Sequence, residues 1–225
     1  MAISPRSGYL ARIRTELSNL KAASPSLASR GVIEKVYEIY ILMCLLEALR
    51  NIGAVIEARD LNDQKTNNLI FRFGPGKIHS PTTPSTFINA ICPGRQFEVQ
   101  NGIRVRGRSS VLHELDVCIV DKEEAVKCRI LQVDPSQNKI HAFIECKFYG
   151  VTLNLSIGRE FIGLNSEFST SVKALVSNTS HSDIPKLLNA HKAMPIFEVR
   201  ISNRSREEQL IGWFSTELRR RFHIP

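Results

Sequence analysis

No Cys-x-x-Cys pair occurs in this chain, and its five cysteines, Cys44, Cys92, Cys118, Cys128 and Cys146, are odd in number. That argues against a zinc knuckle and against a disulfide framework, and it points to a reducing, cytoplasmic setting. No basic-then-apolar block opens the N-terminus, so no secretory signal is expected. Long hydrophobic runs are also missing. The longest uncharged apolar stretch, IYILMCLL at 39–46, is far short of the ~20 residues that a membrane span requires, and it reads as part of a buried helix. The nucleotide-binding pattern G-x-x-x-x-G-K-[ST] is absent, which excludes an ATPase of that type. Neither an internal repeat nor a base-reading module can be recognised, so sequence preference on a nucleic acid is not legible. Acidic residues are outnumbered, 22 against 30 Lys and Arg, leaving a net charge of +8 over 225 residues. A basic balance of this size suits a polyanionic partner, nucleic acid before others. The length and the 43% hydrophobic content suffice for one substantial core.

Residues 1–29 read as a helical appendage, with GYLARIRTELSNLKAA as the helix and SPSLAS as its breaker. A long helix is expected over 32–52, apolar around most of its circumference and stopped by Gly53. The stretch 60–95 reads as a loop-rich insertion, rich in Pro, Ser and Thr, with NLIFRFGPG as a strand inside it. From Phe97 the pattern becomes regular. FEVQNGIRVRG reads as a strand or hairpin, SVLHELDVCIVD as a strand, and KEEAVKCRILQ as a short helix or a further strand. DPSQNK is a turn and IHAFIECKFY a strand. A helix then starts near Ser156, followed by the strand SVKALVSN. The helix over HSDIPKLLNAHK is capped by Asp183 or Ser182, with Pro185 in its first turn. PIFEVRI is a strand, and the last helix opens on a Ser205-x-x-Glu208 capping box. This order predicts an α/β protein, a mixed central β-sheet flanked by helices.

Two of these strands carry charges in their middles. Strand alternation puts Glu114 and Asp116 on one face of LHELDVCIV, opposite Leu115, Val117 and Ile119. It puts Glu145 and Lys147 on one face of HAFIECKFY, opposite Ala142, Ile144, Cys146 and Phe148. If the two strands are neighbours, Asp116 and Glu145 converge, with Lys147 one pleat further on. Buried ionised groups cost several kcal/mol each unless paired or bound to metal. Convergent carboxylates are resolved naturally by a divalent cation, and Mg²⁺ prefers such hard oxygen donors. A lysine beside the ion can position or deprotonate a water, or neutralise charge at phosphorus. The chemistry indicated is metal-assisted phosphodiester hydrolysis. The plainer reading makes Glu145 and Lys147 an exposed salt pair and Asp116 a strand-end residue near solvent.

The acid in ELD followed by E-x-K in ECK resembles the PD-(D/E)xK nuclease superfamily, which has the restriction-endonuclease-like fold; GREFIGL on the following helix is similar to its Mrr-like branch. The resemblance covers roughly residues 30–180, within a domain running over 30–225. The family's proline before the first acid is replaced by Leu115. The resemblance implies that Asp116, Glu145 and the Cys146 carbonyl oxygen hold Mg²⁺, for which Mn²⁺ would substitute, and that Lys147 aligns the attacking water. It also implies a glutamate from the first helix. Glu34 and Glu38 share a face there, and Glu38, bordering the apolar run, is the better candidate. Glu114 is either a further metal or water ligand or an arginine's partner, and His113 points away as a structural residue.

Arg104, Arg106 and, if the strand continues, Arg108 form a candidate phosphate-contacting row, or equally an edge strand blunted by charge. Arg159 would reach a scissile-strand phosphate or cap carboxylates. The expected activity is a Mg²⁺-dependent endonuclease acting on DNA, in prokaryotic defence or DNA processing. Two alternatives stand beside it: a non-catalytic nucleic-acid-binding or assembly subunit on the same fold, and an RNA nuclease activated by a partner or ligand. Cleavage of both DNA strands would favour a homodimer, and sensing or targeting would fall to a partner subunit.

Overall fold

The computed structural model describes residues 30–224; the appendage expected over 1–29 lies outside them. The first helix among the described residues, α1 (Arg30–Asn51), ends as anticipated at Gly53, whose φ of 85° continues the chain out of the helix. Then follow β1 (Val55–Arg59), β2 (Phe87–Cys92), β3 (Arg95–Arg106), β4 (Leu112–Asp121), α2 (Lys122–Leu131) and β5 (Ile140–Lys147). The chain closes with α3 (Leu155–Ser166), β6 (Val172–Ser177), α4 (Ile184–Ala190), β7 (Met194–Ile196) and α5 (Arg204–Phe222). The seven strands form one mixed sheet in sequence order. β1 to β5 are antiparallel neighbours, and β5, β6 and β7 run parallel. Among the described residues no helix is long and apolar enough to cross a membrane.

Each face of the sheet has its own core. On one, α1 and α5 cover residues such as Val99, Val117, Ile144, Cys146 and Val176. On the other, α2, α3 and α4 cover Ile103, Leu115, Cys118, Phe143 and Leu175. On β5 the alternation is as expected from Ala142 onward, with Ala142, Ile144 and Cys146 on the α1 face and Phe143 on the other; Ile140 joins Phe143 because the β4–β5 register shifts between Ile119 and Val120.

Several expectations need correction. Leu115 does not share a core with Val117 and Ile119: it packs in the opposite one. β3 changes face at the same level, since Phe97 and Val99 lie in the α1 core and Ile103 and Val105 in the other. The rung between these halves, Gly102 and Asp116, is missing from an otherwise continuous register, and Gly102 has φ 56°. The left-handed glycine kinks the ladder beside Asp116.

NLIFRFG is no strand. Thr86 Oγ1 accepts the Ile70 N–H, and Asn101 Oδ1 accepts the Arg72 N–H, so side chains take the place of a ladder partner. FINAIC, read as loop, is the strand β2, and VIEAR, given no element, is β1. β7 stops at Ile196, short of the stretch expected, because Glu198 turns at φ 62°. The Ser205 capping box does not form. Asn203 is the cap, its side chain accepting the Arg206 N–H, while Glu208 pairs with Arg204 at 3.0 Å. Helical geometry begins at Arg204, and Ser205 is inside the helix. Asp183 is the cap position of α4 but makes no side-chain cap bond.

Candidate functional site

The sheet splits where the acids lie. The β4–β5 ladder runs as far as Val117 opposite Ile144. Beyond it, Glu145, Cys146 and Lys147 pair with β6. On the β4 side the Cys146 N–H is taken by a side chain, donating to Asp116 Oδ2 at 2.8 Å. Asp116 is 7% exposed, so the carboxylate fills the opening between diverging strands and satisfies a backbone donor there.

Around it stand the other candidates. Burial pushes the Asp116 carboxyl well above the usual range, and the negative charges of Glu145 and Glu38 push it further. Lys147 and the Cys146 N–H pull the other way. Glu38 of α1 is also buried. Its own burial, opposed by Lys35 and reinforced by Glu114 and Glu145, pushes its carboxyl up to about 7. Glu38 is therefore an α1 carboxylate whose charge reaches Asp116. Glu34 lies one turn earlier and is half-buried.

Lys147 Nζ lies 2.6 Å from Glu145 Oε1. Burial disfavours its ammonium, but the carboxylates of Glu145 and Asp116 outweigh burial and raise its affinity for the proton. At neutral pH Lys147 is a cation, suited to neutralising charge and unsuited to abstracting a proton. Glu145 and Lys147 also line a small cleft of about 120 Å³ with Ile157, Glu160, Phe161 and Leu164 of α3. The Cys146 thiol sits in the α1 core, as the strand pattern predicts. Burial, with the nearby acids, keeps it protonated.

Lys35 was not anticipated. Its Nζ lies 2.9 Å from Glu38 Oε1 and 3.3 Å from Glu114 Oε1, joining α1 to β4. Its position three residues before Glu38 was a readable helical ion-pair signal; its second bond, to a strand, was not. Glu114 is thus tied to a lysine rather than to an arginine. Four carboxylates, Glu38, Glu114, Asp116 and Glu145, are accompanied here by two ammoniums. Among the described residues, no three His, Cys, Asp or Glu side chains stand in an arrangement that chelates a metal ion. The acids act on one another electrostatically, while Glu145 and Glu38 are turned to their lysines.

The arginine row is not formed as a row. Arg104 pairs with Asp134 at 3.1 Å, which neutralises it. Arg106 is exposed and donates to the Ser110 carbonyl at 3.4 Å. Arg108 lies past the end of β3, in the turn to β4, because the strand stops at Arg106. Arg159 is exposed on α3, near the cleft residues Ile157 and Glu160 in sequence. His113 faces Glu167 at 3.6 Å and Phe168, a structural place as expected. Comparison with family models, with curated proteins and with solved structures gave no match.

Proposed function

We propose that this chain is a divalent-metal-dependent nuclease of restriction-endonuclease-like fold, hydrolysing phosphodiester bonds in DNA. The observation that carries the reading is the buried Asp116 at the opening of β4 and β5, with Glu145, Lys147 and Glu38 acting on it from a strand and a helix. Such a gathering of acids is costly unless a cation relieves it. The donor set fits Mg²⁺ or Mn²⁺ in chemistry: Asp116, Glu145 and the Cys146 carbonyl oxygen would hold the ion, with Glu114 as a further ligand. Bound there, the ion would supply Lewis-acid charge to a phosphoryl oxygen. Lys147, charged at neutral pH, would orient the attacking water and offset negative charge gathering at phosphorus. Glu38 would accept a hydrogen bond from that water. Arg106, Arg108 and Arg159, exposed and basic, would contact phosphates at the rim.

The test is nicking of supercoiled plasmid with Mg²⁺ or Mn²⁺, with labelled RNA digested in parallel. Lys147→Ala, Asp116→Asn and Glu145→Gln are expected to lose activity on the order of 100-fold or more while still retarding DNA in a gel. Equal cleavage by wild type and Lys147→Ala would end the enzymatic reading.

One observation favours a second reading. The lysine pairs that hold Glu145 and Glu38 away from a chelating arrangement suit a protein that is silent until a partner or ligand acts, or one that only binds nucleic acid. Salt-sensitive DNA binding without cleavage by the isolated chain would favour it.

A further inference from the structure

We propose that Lys35 is a positioning residue of this same site: its ammonium ties Glu38 of α1 to Glu114 of β4 and is the internal counter-charge that a divalent cation must work against. The inference rests on the metal-dependent reading above.

The tie is built from parts far apart in the chain. Lys35 bonds Glu38 within α1, and across 79 residues it bonds Glu114 at 3.3 Å. Its side chain is 15% exposed and that of Glu38 6%, so the lysine is turned inward along the helix rather than into solvent. An exposed i, i+3 pair would suffice if the aim were helix stability alone. Instead the ammonium bridges the helix to the strand that carries Asp116, and its own charge is felt together with that of Asp116. Lys147 gives Glu145 a counter-charge within β5, at 2.6 Å. Lys35 and Lys147 each offset carboxylate charge around Asp116. Lys35 thus sets both where Glu38 and Glu114 stand and how much negative charge is left for an ion. Positive charge a few ångströms from a cation site weakens cation binding, and a partly desolvated setting strengthens the effect.

The experiment titrates Mn²⁺ into the full chain and reads thermal shift and binding heat, with no turnover required. Lys35→Met is expected to bind Mn²⁺ about tenfold more tightly than wild type at low salt, and to melt at a lower temperature without metal. Lys35→Arg, which keeps the charge, is expected to stay within about threefold of wild type. Asp116→Asn, placed in either background, is expected to abolish the shift. If Lys35→Met does not fold, Lys35→Gln gives the same reading, since it drops the charge and keeps a donor. A purely structural pair would lower the melting point and leave the Mn²⁺ midpoint where it was. That result, or weaker binding by the neutral variants while wild type still binds, overturns the role given to Lys35 and leaves the nuclease reading standing. If neither wild type nor the neutral variants bind Mn²⁺, both fall.

Discussion

Two buried acids make opposite predictions. Glu38 titrates at about 7 in the folded chain, above its value of about 4.3 in an unfolded one. Between those values the folded state holds more protons, so its contribution to stability is present at low pH and is lost as pH rises through about 7. Asp116, also raised, acts in the same direction. His141 is shifted downward by burial and works oppositely below its ordinary value. The informative quantity is therefore the difference between wild type and Glu38→Gln. The variant is expected to gain stability relative to wild type from pH 5 to pH 8, with a midpoint about 2–4 °C higher for each kcal/mol relieved. Parallel melting curves across pH would contradict the burial argument. Glu98 is the reverse case. It is fully buried, accepts from Arg129 and Gln100 at 2.8 Å, and pairs with Lys122 at 3.0 Å. Removing it strands Arg129 against Phe87 and leaves Lys122, also over that ring, with Asp63 alone at 2.9 Å. Glu98→Ala is expected to cost about 3–5 kcal/mol in urea unfolding; a loss under about 1 kcal/mol would show that these cations find water instead.

At the scale of elements, the kink at Gly102 and the opening after Val117 are parts of one device. Gly102 stands opposite Asp116 at the missing rung between β3 and β4, and its positive φ accompanies the change of face there. A Cβ at Gly102 would lie 3.3 Å from the Gly74 carbonyl oxygen and 3.7 Å from Glu114 Oε1. Gly102→Ala is expected to destabilise by about 1–2 kcal/mol through backbone strain. Gly163, inside α3 with nothing within 4 Å of its Cβ position, should do the opposite. Gly163→Ala is expected to stabilise by about 0.5–1 kcal/mol, and chemical denaturation of the pair would settle the contrast. The end of the chain carries a similar lesson. Glu207 is drawn into the interior, where it accepts a hydrogen bond from Tyr40 of α1 at 2.5 Å, while Glu208, expected in a capping box with Ser205, pairs with Arg204. That contact and the Asn203 cap set the phase of α5, and an isolated reading of Ser205 and Glu208 had no access to it.

Across the whole molecule, the legible strands were those with one reason for their pattern. β4 from Val117 and β5 from Ala142 alternate between two cores, and acids in such apolar runs stood out as exceptions. β2 is buried at five of its six positions and shows no alternation, which left it indistinguishable from the Pro- and Thr-rich loop before it. β1 is short and nowhere fully buried, so it had almost no apolar signal. The arrangement of all seven strands in sequence order follows from antiparallel returns up to β5, tight between β2, β3 and β4 and longer elsewhere, and from helical crossovers after it.

The α/β character with helices flanking a mixed sheet, the long helix before β1 and the faces of β5 from Ala142 onward were written in the amino-acid pattern, because periodicity is a local consequence of backbone geometry. The same pattern also marked Asp116, Glu145, Lys147 and Glu38 as the acids and cation worth watching, because charge inside an apolar strand or helix is costly wherever it lies. Packing in three dimensions was needed to part β4 and β5 after Val117, to neutralise Arg104 with Asp134, and to bring Lys35 across to Glu114. Those outcomes depend on which distant groups meet, and no spacing along the chain records a distance between residues 79 positions apart.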